Sequence, residues 1–396
     1  MKRFLVGGAV RDQLLGHPVG DRDWLVTGVS QQQLLDLGYQ QVGRDFPVFL
    51  HPQTREEHAL PRCSTDGLAE RQQVEADLCL RDLTINAMAI GADEELIDPL
   101  NGQEDLQRRL LRHTPAFADD PIRVLRLARF STRYAAFGFR PAGETVALVK
   151  TLVADGVLEN LVAERVWSEI VGALQESRPA VFFQILRECD ALSSILPEVD
   201  QLFGVPQPEK HHPEIDSGIH SLLVLEQACR LSEEPEVRFA ALVHDLGKGT
   251  TPADLLPRHH GHEERGERLI AALGKRLKIP NRFSTLARLA AKYHTQCHKV
   301  TELKPRTVLK MLTALDCLRR PQRLESFLIT CMADTRGRRG FEEKSYPQAD
   351  IMRAARDAAA KVDSAAIALG ANDPAKIPEL IAKERTKAIA LQLRGM

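Results

Sequence analysis

Two aspartates, Asp21 and Asp23, stand two positions apart at the start of the strand-like run Trp24-Leu25-Val26. Residues i and i+2 of a strand point to the same face of a sheet, so this spacing predicts adjacent carboxylates. Such carboxylates repel each other unless a cation lies between them. The pair suits two Mg²⁺ ions in phosphoryl or nucleotidyl transfer, one activating a hydroxyl and one steadying pyrophosphate. The alternative is an aspartate-rich turn.

A glycine pair, Gly7-Gly8, precedes these aspartates and separates a predicted strand, 4–6, from a predicted helix, 10–15. Glycines at such a junction let the backbone approach a phosphate closely, and the helix start offers free N–H groups. Arg11, one turn into the helix, could hold a triphosphate oxygen. Taken alone, the glycine pair is also typical of an ordinary tight turn.

A stripe of arginines follows Asp120 at helical spacing; its members are Arg123, Arg126, Arg129 and Arg133. At about 100° per residue these side chains fall within an arc of roughly 120° on one helix face. Guanidinium and carboxylate groups can pair with the edge of a base, so fixed donors and acceptors here could select nucleotides. The alternative is a surface stripe that pairs with acidic residues.

The adjacent pair His244-Asp245 ends an apolar helical run and is followed by Gly247. It presents one nitrogen and one oxygen to a divalent metal, and the glycine suits a helix C-terminus. A distant histidine, His220, and a distant aspartate, Asp334, would complete the ligand shell. Asp334 could instead pair with a nearby arginine on the surface.

Further histidines accompany this second set and could bring a second metal or contact phosphate. They are His259, His260, His262 (followed by Glu263) and His294. The seven cysteines include no CxxC pair. The sequence therefore predicts neither a disulfide framework nor a cysteine-based zinc module.

Length and composition limit the number of domains and the class of protein that can position these residues. A chain of 396 residues makes about two to four domains. Its 43% apolar and 27% charged residues are ordinary for a soluble globular protein and exclude collagenous, disordered and membrane-embedded classes. No apolar run approaches the roughly 18 residues of a membrane span, and residues 4–10 are too short for a signal-peptide core. A cytoplasmic location is expected.

The pattern changes along the chain. Strand-like runs at 4–6, 24–26 and 46–50 place a mixed α/β region in the first hundred residues, and helical periodicity dominates from about Asp105 onward. The proline-containing segment 205–218 is predicted to be a linker or exposed loop. A helical block, 217–318, and an Ala-rich helical tail interrupted at Pro347, Gly370 and Pro374 complete the chain.

The net charge of −1 excludes a globally basic nucleic-acid binder but not a locally basic one. Basic residues concentrate at 107–133 and at 275–310, where ten Lys and Arg face one acid, Glu302. Two such stretches favour a polyanion-binding face. The alternative is a solvated helical surface.

The order of these motifs resembles the class II CCA-adding tRNA nucleotidyltransferases and their poly(A) polymerase relatives. The motifs are LVGGAVRD at 5–12, DRDW at 21–24, RDLTINA at 81–87 and DPIRVLRLARF at 120–130. The resemblance covers about the first 170 residues. It implies an α+β fold, in which a polymerase-β-like head with a mixed sheet precedes an all-α neck, body and tail.

The resemblance also implies roles for individual residues. Asp21 and Asp23 match the catalytic Mg²⁺ ligands, and the matched CTP- and ATP-binding positions are Gly8, Arg11, Arg81, Asp120, Arg123, Arg126 and Arg129. The chain departs from the family pattern at Asp119, where a glutamate is usual, and across 57–81, where a longer loop is usual. The third acid of the metal site is left between Glu56 and Glu57, and Glu164-Arg165 fall in the family's next motif.

The order His220, His244-Asp245, Asp334 resembles the HD phosphohydrolase superfamily, in which metal-activated water attacks a phosphoester. One branch of the CCA-adding family carries such an HD domain, so the resemblance extends to about residue 340. It implies 2′,3′-cyclic phosphodiesterase, 2′-nucleotidase and phosphatase activities supported by Ni²⁺ or another divalent transition metal.

These interpretations predict a head at 1–107, a neck and body at 108–204, an HD domain at 217–319 and a helical tail at 320–396. The expected partners are tRNA, CTP and ATP without a membrane, and the chain is expected to be a monomer, with a dimer or larger oligomer left open. The alternatives are a poly(A) polymerase, a nucleotide phosphohydrolase with a degenerate head, and an RNA-binding protein without activity. The intact Asp21 and Asp23 pair argues against the second, and two metal constellations argue against the third.

Overall fold

The computed structural model describes residues 1–42, 48–63, 67–210 and 212–394. Phe46 of the third predicted strand, Ser64 to Asp66 in the shortened loop and His211 in the proline-containing segment lie outside these residues. The chain divides into two compact units. The first comprises Met1–Leu161 with Glu188–Ala191, and the second comprises Val162–Arg187 with Leu192–Met396.

The first unit combines short strands with helices. Its strands are β1 Lys2–Val6, β2 Asp23–Thr27, β3 Gln40–Val42, β4 Val48–Leu50, β5 Glu57–Ala59, β6 Ala89–Ile90, β7 Leu96–Ile97, β8 Leu110–Leu111 and β9 Arg140–Pro141. Its helices are α1 Gly8–Leu14, α2 Gln31–Asp36, α3 Glu70–Cys79, α4 Gly102–Arg108, α5 Arg123–Arg133 and α6 Gly143–Ala154.

Within the described residues, seven of these strands form one mixed sheet in the order β3-β4-β5-β2-β1-β6-β7. β1 runs antiparallel to β2 and β6, whereas β2 runs parallel to β5. The register places Asp23 opposite Val6 on one side and opposite Glu57 on the other. The sheet thus brings β1, with the glycine turn that follows it, and the acidic starts of β2 and β5 to one edge.

Apolar side chains at alternate positions of the central strands form the core of this unit. Phe4 and Val6 of β1 and Leu25 of β2 are buried with Val74 and Leu78 of α3. Each fully buried Leu, Val or Phe contributes roughly 1.5–3 kcal/mol relative to exposure. This packing holds the ends of β1, β2 and α3 in fixed relation, which positions the residues described below.

The second unit is built from helices. They are α7 Ala163–Gln175, α8 Ala180–Glu188, α9 Leu192–Ile195, α10 Pro197–Asp200, α11 Ser217–Leu231, α12 Pro235–Val243, α13 His262–Arg276, α14 Asn281–His298, α15 Pro305–Ala314, α16 Pro321–Arg336, α17 Gln348–Ala360, α18 Ser364–Leu369 and α19 Ile377–Arg394. α12 packs between α11, α14 and α16. The predicted mixed region followed by helices is confirmed.

An aromatic cluster anchors this bundle. Trp167 of α7 packs edge-on against Phe239 of α12 and Phe283 of α14, with ring centroids 5.2 and 5.0 Å apart. Such edge-to-face pairs add about 0.5–1.5 kcal/mol beyond the area they bury. These contacts hold the middle of the buried helix α12, and His244 and Asp245 follow its last residue.

The segment 205–218 is not the exposed linker that its prolines predict. Gln207 and Glu214 are 2% and 6% exposed, and Ser217 is fully buried at the start of α11. The prolines break helix and strand, as expected, but Gln207, His212 and Glu214 turn inward and contact the buried groups described below.

No helix among residues 1–42, 48–63, 67–210 and 212–394 has the length and apolar character needed to cross a bilayer.

Candidate active sites

The turn between β1 and α1 depends on Gly7. Its φ of +69° lies in the left-handed region that L side chains rarely adopt. A Cβ at this position would also lie 2.8 Å from Nη1 of Arg81. Gly7 therefore lets a buried guanidinium approach the start of α1.

Three acidic residues surround the start of β2, and we call Asp21, Asp23 and Glu57 the carboxylate centre. Asp23 is half-buried as the first residue of the strand, and Glu57 is its register partner on β5. Burial raises the pKa of the Asp23 carboxyl, and the Glu57 and Asp21 carboxylates raise it further. Clustered negative charge of this kind is relieved by a bound cation, so the residues fit a divalent metal.

The strand begins two residues later than Asp21, which lies exposed in a bend. The prediction that both aspartates lie on one strand is wrong for Asp21. Antiparallel pairing of β2 with β1 ends at Asp23 opposite Val6, and the chain turns away before that point.

The structure separates the two candidates for the third acid. Glu56 accepts a hydrogen bond from the Trp24 indole at 3.1 Å, whereas Glu57 faces Asp23 across the β2–β5 pair. Glu56 precedes the first residue of β5, and its carboxylate is engaged by Trp24. Glu57, and not Glu56, therefore belongs to the carboxylate centre.

Two arginines next to this centre are held in place by other side chains. Arg11 is 3% exposed, donates to Asn86 at 2.6 Å and lies over the Tyr134 ring at 5.0 Å. Arg81 pairs with Asp77 at 3.2 Å, and its buried Nε has no hydrogen-bond partner among the described residues. An unpaired buried N–H is costly, so Arg81 is suited to receive an anionic ligand.

The arginine stripe lies on α5 as predicted. Val124, Leu125 and Ala128 are buried on the opposite face. Arg123 donates to the main-chain carbonyls of Leu80, Arg81 and Ala116.

Arg126 forms an ion pair with Asp82 at 2.7 Å, and this buried carboxylate also accepts from Asn86 and from the Leu83 N–H. Although burial opposes ionisation, Arg126 holds the pKa of Asp82 below its usual value. Arg129 lies over the Phe130 ring at 5.1 Å, and Asp120 accepts from the Ile122 N–H just before α5. The stripe is thereby fixed to the head.

The second unit brings His220, His244, Asp245 and Asp334 together, and we call these four residues the histidine centre. His220 Nε2 lies 3.1 Å from Asp334 Oδ1 and 3.9 Å from Asp245 Oδ2. His244 Nε2 lies 3.1 Å from Asp245 Oδ2 and 3.8 Å from Asp334 Oδ1. All four side chains are almost completely buried.

The donor set of the histidine centre fits a divalent metal. His244 Nδ1 lies 2.8 Å from the Ala241 carbonyl, which can only accept, so Nδ1 carries a proton and, in the neutral ring, Nε2 presents a lone pair. That Nε2 is buried without a hydrogen-bond partner among the described residues. Two imidazole nitrogens with two carboxylates suit a transition metal.

Gly247 is required for close packing of the backbone and not for capping the helix. Its φ is not left-handed, but a Cβ on it would lie 2.0 Å from the carbonyl oxygen of His262 and 2.6 Å from the Gly266 N–H nitrogen. The glycine therefore lets the first turn of α13 close onto the residues that follow α12.

The proline-containing segment supplies a carboxylate that sequence reasoning missed. Glu214 Oε1 lies 2.8 Å from His220 Nδ1 and 3.0 Å from His212 Nδ1. Although burial opposes ionisation, these imidazoles hold the pKa of Glu214 below its usual range. Carboxylates behind metal-ligating histidines fix the ring and its tautomer.

Cations flank the histidine centre. Lys248 Nζ lies 2.6 Å from Asp245 Oδ2 and donates to Gln207 at 2.5 Å. Arg338 lies 3.5 Å from Asp334 Oδ1. Despite burial, these neighbours and the histidines hold the pKa of both aspartates well below the usual value.

His298 was also missed. Its Nε2 lies 2.6 Å from Asp334 Oδ2, and its Nδ1 lies 2.9 Å from the Tyr346 hydroxyl. The signal was present, because His298 follows His294 by four positions on a predicted helix and so shares its face.

The additional histidines divide into two groups. His262 and His294 reach Asp245, at 3.4 and 3.5 Å from Oδ1. His259 instead bonds to Thr251 and to the Pro206 carbonyl, and His260 is exposed. A cavity of about 800 Å³ opens onto Asp245, Asp334 and these imidazoles.

Much of the basic stretch 275–310 forms ion pairs within its own unit. Glu267 pairs with Arg288 and Lys292 at 2.9 and 2.7 Å, and Lys278 pairs with Glu164 at 2.5 Å. At these positions the ion pairs favour the interpretation of the stretch as a solvated helical surface over that of a polyanion-binding face.

Three family models match the chain. The model of the poly A polymerase head domain matches residues 3–112, that of the probable RNA and SrmB-binding site of polymerase A matches 138–203, and that of the HD domain matches 218–320. The first contains the carboxylate centre, and the third contains every residue of the histidine centre except Asp334.

Relatives match most of the chain. A multifunctional CCA protein of Thioalkalivibrio sulfidiphilus is 57% identical over 366 residues, which cover 90% of each chain. A solved CCA-adding enzyme in complex with CTP has a TM-score of 0.66 at 21% identity, covering 98% of this chain and 87% of its own. A solved tRNA nucleotidyltransferase complexed with a primer tRNA and an incoming ATP analogue has a TM-score of 0.55 at 22% identity, covering 84% and 91%. The two structures show a shared fold.

Proposed function

The chain belongs to the family of multifunctional CCA proteins, CCA-adding tRNA nucleotidyltransferases with an HD domain, and from this membership we propose that it builds and repairs the 3′-terminal CCA of tRNA. CTP and ATP are the donors, and the 3′-hydroxyl of tRNA is the nucleophile. Solved relatives of the same fold hold CTP, or a primer tRNA with an ATP analogue, which supports these partners. On the same grounds we propose a cytoplasmic location.

The carboxylate centre carries the transferase proposal. Asp21 and Asp23 would hold Mg²⁺, with Glu57 as the third acid, because Glu57 lies opposite Asp23 in the sheet register. When bound there, Mg²⁺ would activate the tRNA hydroxyl and steady the pyrophosphate. The pairing of β2 with β5 brings Asp23 and Glu57 together beside Asp21. A site whose ligands are all carboxylate oxygens favours a hard cation such as Mg²⁺.

The nucleotide would lie between the glycine turn and the arginine stripe. Gly8 and Arg11 at the start of α1 and Arg81 after α3 would face its phosphates, and the orphaned Nε of Arg81 supports this role. Asp120, Arg123, Arg126 and Arg129 would face the base or the remaining phosphates. Arg123 donates to main-chain carbonyls, so its guanidinium plane is fixed before a base arrives. A fixed plane of donors discriminates bases better than a mobile one.

Sequencing the products formed on a tRNA transcript that lacks CCA tests this proposal. The transcript is incubated with Mg²⁺, CTP and ATP, and the 3′ ends are read. Addition of C, C and A followed by a stop is the expected result and would show that base selection tolerates Asp119 in place of the usual glutamate. Long A tails would instead indicate a poly(A) polymerase, and an unchanged end would contradict the transferase proposal.

The histidine centre supports a second activity. We propose that the HD domain hydrolyses phosphoesters as a 2′,3′-cyclic phosphodiesterase, 2′-nucleotidase and phosphatase, with Ni²⁺ or another divalent transition metal held by His220, His244, Asp245 and Asp334. The bound metal would supply an activated water. Lys248 and Arg338 flank the two aspartates and would stabilise the charge that develops on the phosphoryl oxygens.

Phosphate release tests the second activity. The chelator-stripped protein is supplied with Ni²⁺ and given 2′,3′-cyclic AMP or 2′-AMP. Hydrolysis that depends on the added metal is expected. Failure of Ni²⁺, Co²⁺ and Mn²⁺ alike to support hydrolysis would contradict the phosphohydrolase proposal and leave the transferase proposal untouched.

A further inference from the structure

Tyr346 lies in the segment between α16 and α17, beyond residue 320, where the match to the HD-domain model ends. Its side chain is 6% exposed, and it lines the cavity onto which Asp334 opens. The hydroxyl contacts two residues at the end of α14, lying 2.9 Å from His298 Nδ1 and 3.4 Å from Cys297 Sγ. A buried tyrosine hydroxyl needs such partners, and these lead directly to the histidine centre.

The direction of these hydrogen bonds follows from the carboxylate at their end. His298 Nε2 lies 2.6 Å from Asp334 Oδ2, and a carboxylate oxygen only accepts, so Nε2 carries a proton. Burial lowers the pKa of His298 despite the charge of Asp334, so the ring is neutral at pH 7 and its Nδ1 presents a lone pair. The Tyr346 hydroxyl next to Nδ1 must therefore donate to it.

The second contact of the hydroxyl fits the same direction. Because the single hydroxyl proton of Tyr346 goes to His298, the Cys297 thiol donates to the hydroxyl oxygen across the 3.4 Å contact. Cys331 of α16 hydrogen-bonds with Cys297 in turn, and both cysteines are fully buried. The donors thus form one ordered chain that runs from the two thiols through the hydroxyl and the imidazole to the carboxylate of Asp334.

This chain divides the two oxygens of Asp334 between two tasks. Oδ2 accepts from His298, whereas Oδ1 lies 3.1 Å from His220 Nε2 and 3.8 Å from His244 Nε2. Oδ1 is therefore the oxygen that faces the two imidazole nitrogens of the histidine centre. A hydrogen bond to the other oxygen fixes the orientation of the carboxylate, as outer-shell partners of metal ligands do.

We propose that Tyr346 is a positioning residue of the histidine centre: its hydroxyl fixes the tautomer of His298, which holds Oδ2 of Asp334 and leaves Oδ1 to bind the metal. The inference rests on the proposed metal-dependent phosphohydrolase for its chemical role, whereas the tautomer of His298 does not depend on that role. It gives the segment after α16 a function at the site. It also explains the buried hydroxyl, because a phenylalanine would fill nearly the same space without ordering His298.

Nitrogen NMR of the metal-stripped full chain with ¹⁵N-labelled histidine reads the tautomer directly. The His298 signals are assigned as those lost in His298→Gln. At pH 7 an unprotonated Nδ1 and a protonated Nε2 are expected. Tyr346→Phe is expected to shift the Nδ1 signal, because its hydrogen bond is lost. Tyr293→Phe, which changes a tyrosine of α14 that is 7% exposed, is expected to leave the signal unchanged. A protonated Nδ1 in the unsubstituted chain would overturn the proposal, even if Tyr346→Phe does not fold.

Affinity for Co²⁺ tests the consequence for the metal. Calorimetric titrations use the stripped full chain carrying Asp21→Asn and Asp23→Asn, in which the carboxylate centre is silenced. Adding Tyr346→Phe is expected to weaken Co²⁺ binding by about 10-fold or more, the effect typical of outer-shell partners, and adding Tyr293→Phe by less than about twofold. His298→Gln offers Asp334 an amide N–H that needs no fixed tautomer. In that background Tyr346→Phe is expected to have no further effect.

The opposing outcomes are distinct. Equal Co²⁺ affinity with and without the Tyr346 hydroxyl would overturn the proposal while the metal centre stands. A full loss of affinity on adding Tyr346→Phe to His298→Gln would also overturn it, because the hydroxyl would then act through packing and not through His298. A parent chain that melts cooperatively but binds no Co²⁺ would instead overturn the proposed metal centre itself.

Discussion

The carboxylate centre lies at the open end of a sheet, whereas the histidine centre lies buried between helices. In the first, Asp21 is exposed and Asp23 half-buried, and Arg81, whose charge acts on Asp23, pairs with Asp77. In the second, two imidazoles and two carboxylates are almost completely buried. An open site leaves room for a polynucleotide end and a hydrated cation, and a closed site selects its metal through nitrogen ligands.

The comparison teaches that the two centres would meet the same proposed requirement, a held cation, by different means. Strand register alone places Asp23 beside Glu57, so this part of the carboxylate centre depends on backbone pairing. Helices from distant parts of the chain build the histidine centre, so it needs Glu214, Lys248, His298 and glycine contacts to fix each ligand. Changes in supporting residues should therefore affect the second centre more strongly.

The largest effect is expected from His244→Ala. The substitution removes one of two nitrogen ligands, so Ni²⁺-dependent phosphate release should fall by about 10³-fold, beyond the 10–100-fold typical of outer-shell partners. CCA addition should stay within twofold of wild type, because His244 lies in the other unit. Rates on 2′,3′-cyclic AMP and on tRNA lacking CCA measure both effects. Retention of phosphate release would remove His244 from the ligand set.

Glu214→Gln should have an intermediate effect. The amide keeps the shape but loses the charge behind His220, so affinity for Ni²⁺ or Co²⁺ should fall by about 10–100-fold. The control is Glu209→Gln, which changes an exposed glutamate of the same segment. Calorimetric titration of the stripped proteins compares the two variants. Equal affinities would mean that Glu214 serves packing alone.

Arg126→Gln tests the support of the arginine stripe. Loss of the partner of Asp82 should lower the free energy of unfolding by about 1–2 kcal/mol at pH 7, allowing for the partial exposure of Arg126. The pKa of Asp82 is lowered in the folded state, so its stabilisation is complete above the unfolded pKa and is lost as pH falls through the folded pKa.

The difference between wild type and Arg126→Gln should therefore be full at neutral pH and should shrink below about pH 4. Urea unfolding across this range measures it. Arg133→Gln, at the exposed end of the same helix, serves as the control. A difference that does not change with pH would contradict the role of the Asp82 charge.

The smallest effect is expected from Gly7→Ala compared with Gly16→Ala. Both positions have positive φ, so each substitution should cost at least roughly 1–2 kcal/mol of stability. Only the Cβ at Gly7 would meet Arg81, whereas nothing lies within 4 Å of a Cβ at Gly16. Gly7→Ala should therefore also lower nucleotide incorporation several-fold. Equal incorporation by the two variants would contradict the proposed role of Arg81.

Local patterns predicted the elements of the first unit well. Residues 2–14 form the expected strand, glycine turn and helix, and α5 presents the expected arginine face. Each of these features follows from a pattern of neighbouring residues and needs no long-range contact. Glu57 could not be separated from Glu56 by sequence, because the choice depends on a parallel pairing of β2 with a distant strand. The start of β2 at Asp23 likewise depends on its pairing with β1.

The second unit shows where sequence reasoning ends. His220, His244, Asp245 and Asp334 were predicted to meet, and they do, but Glu214, which supports His220, carries no motif of its own. Glu214 lies in a proline-containing segment whose composition predicts a linker, and its burial arises from tertiary packing. A glycine is required at position 247 because the residue packs against α13, and not because it ends α12. Only the packed structure reveals this contact.

The central claim is that two separate metal centres perform two separate reactions, and Asp23→Asn tests it most directly. The substitution removes a ligand charge at the carboxylate centre and relieves repulsion with Glu57, so the fold should persist. One preparation is assayed for CCA addition to tRNA and for metal-dependent phosphate release from 2′,3′-cyclic AMP. Addition should be abolished while phosphate release stays within twofold of wild type. Loss of both reactions in a folded chain, or retention of both, would contradict the account.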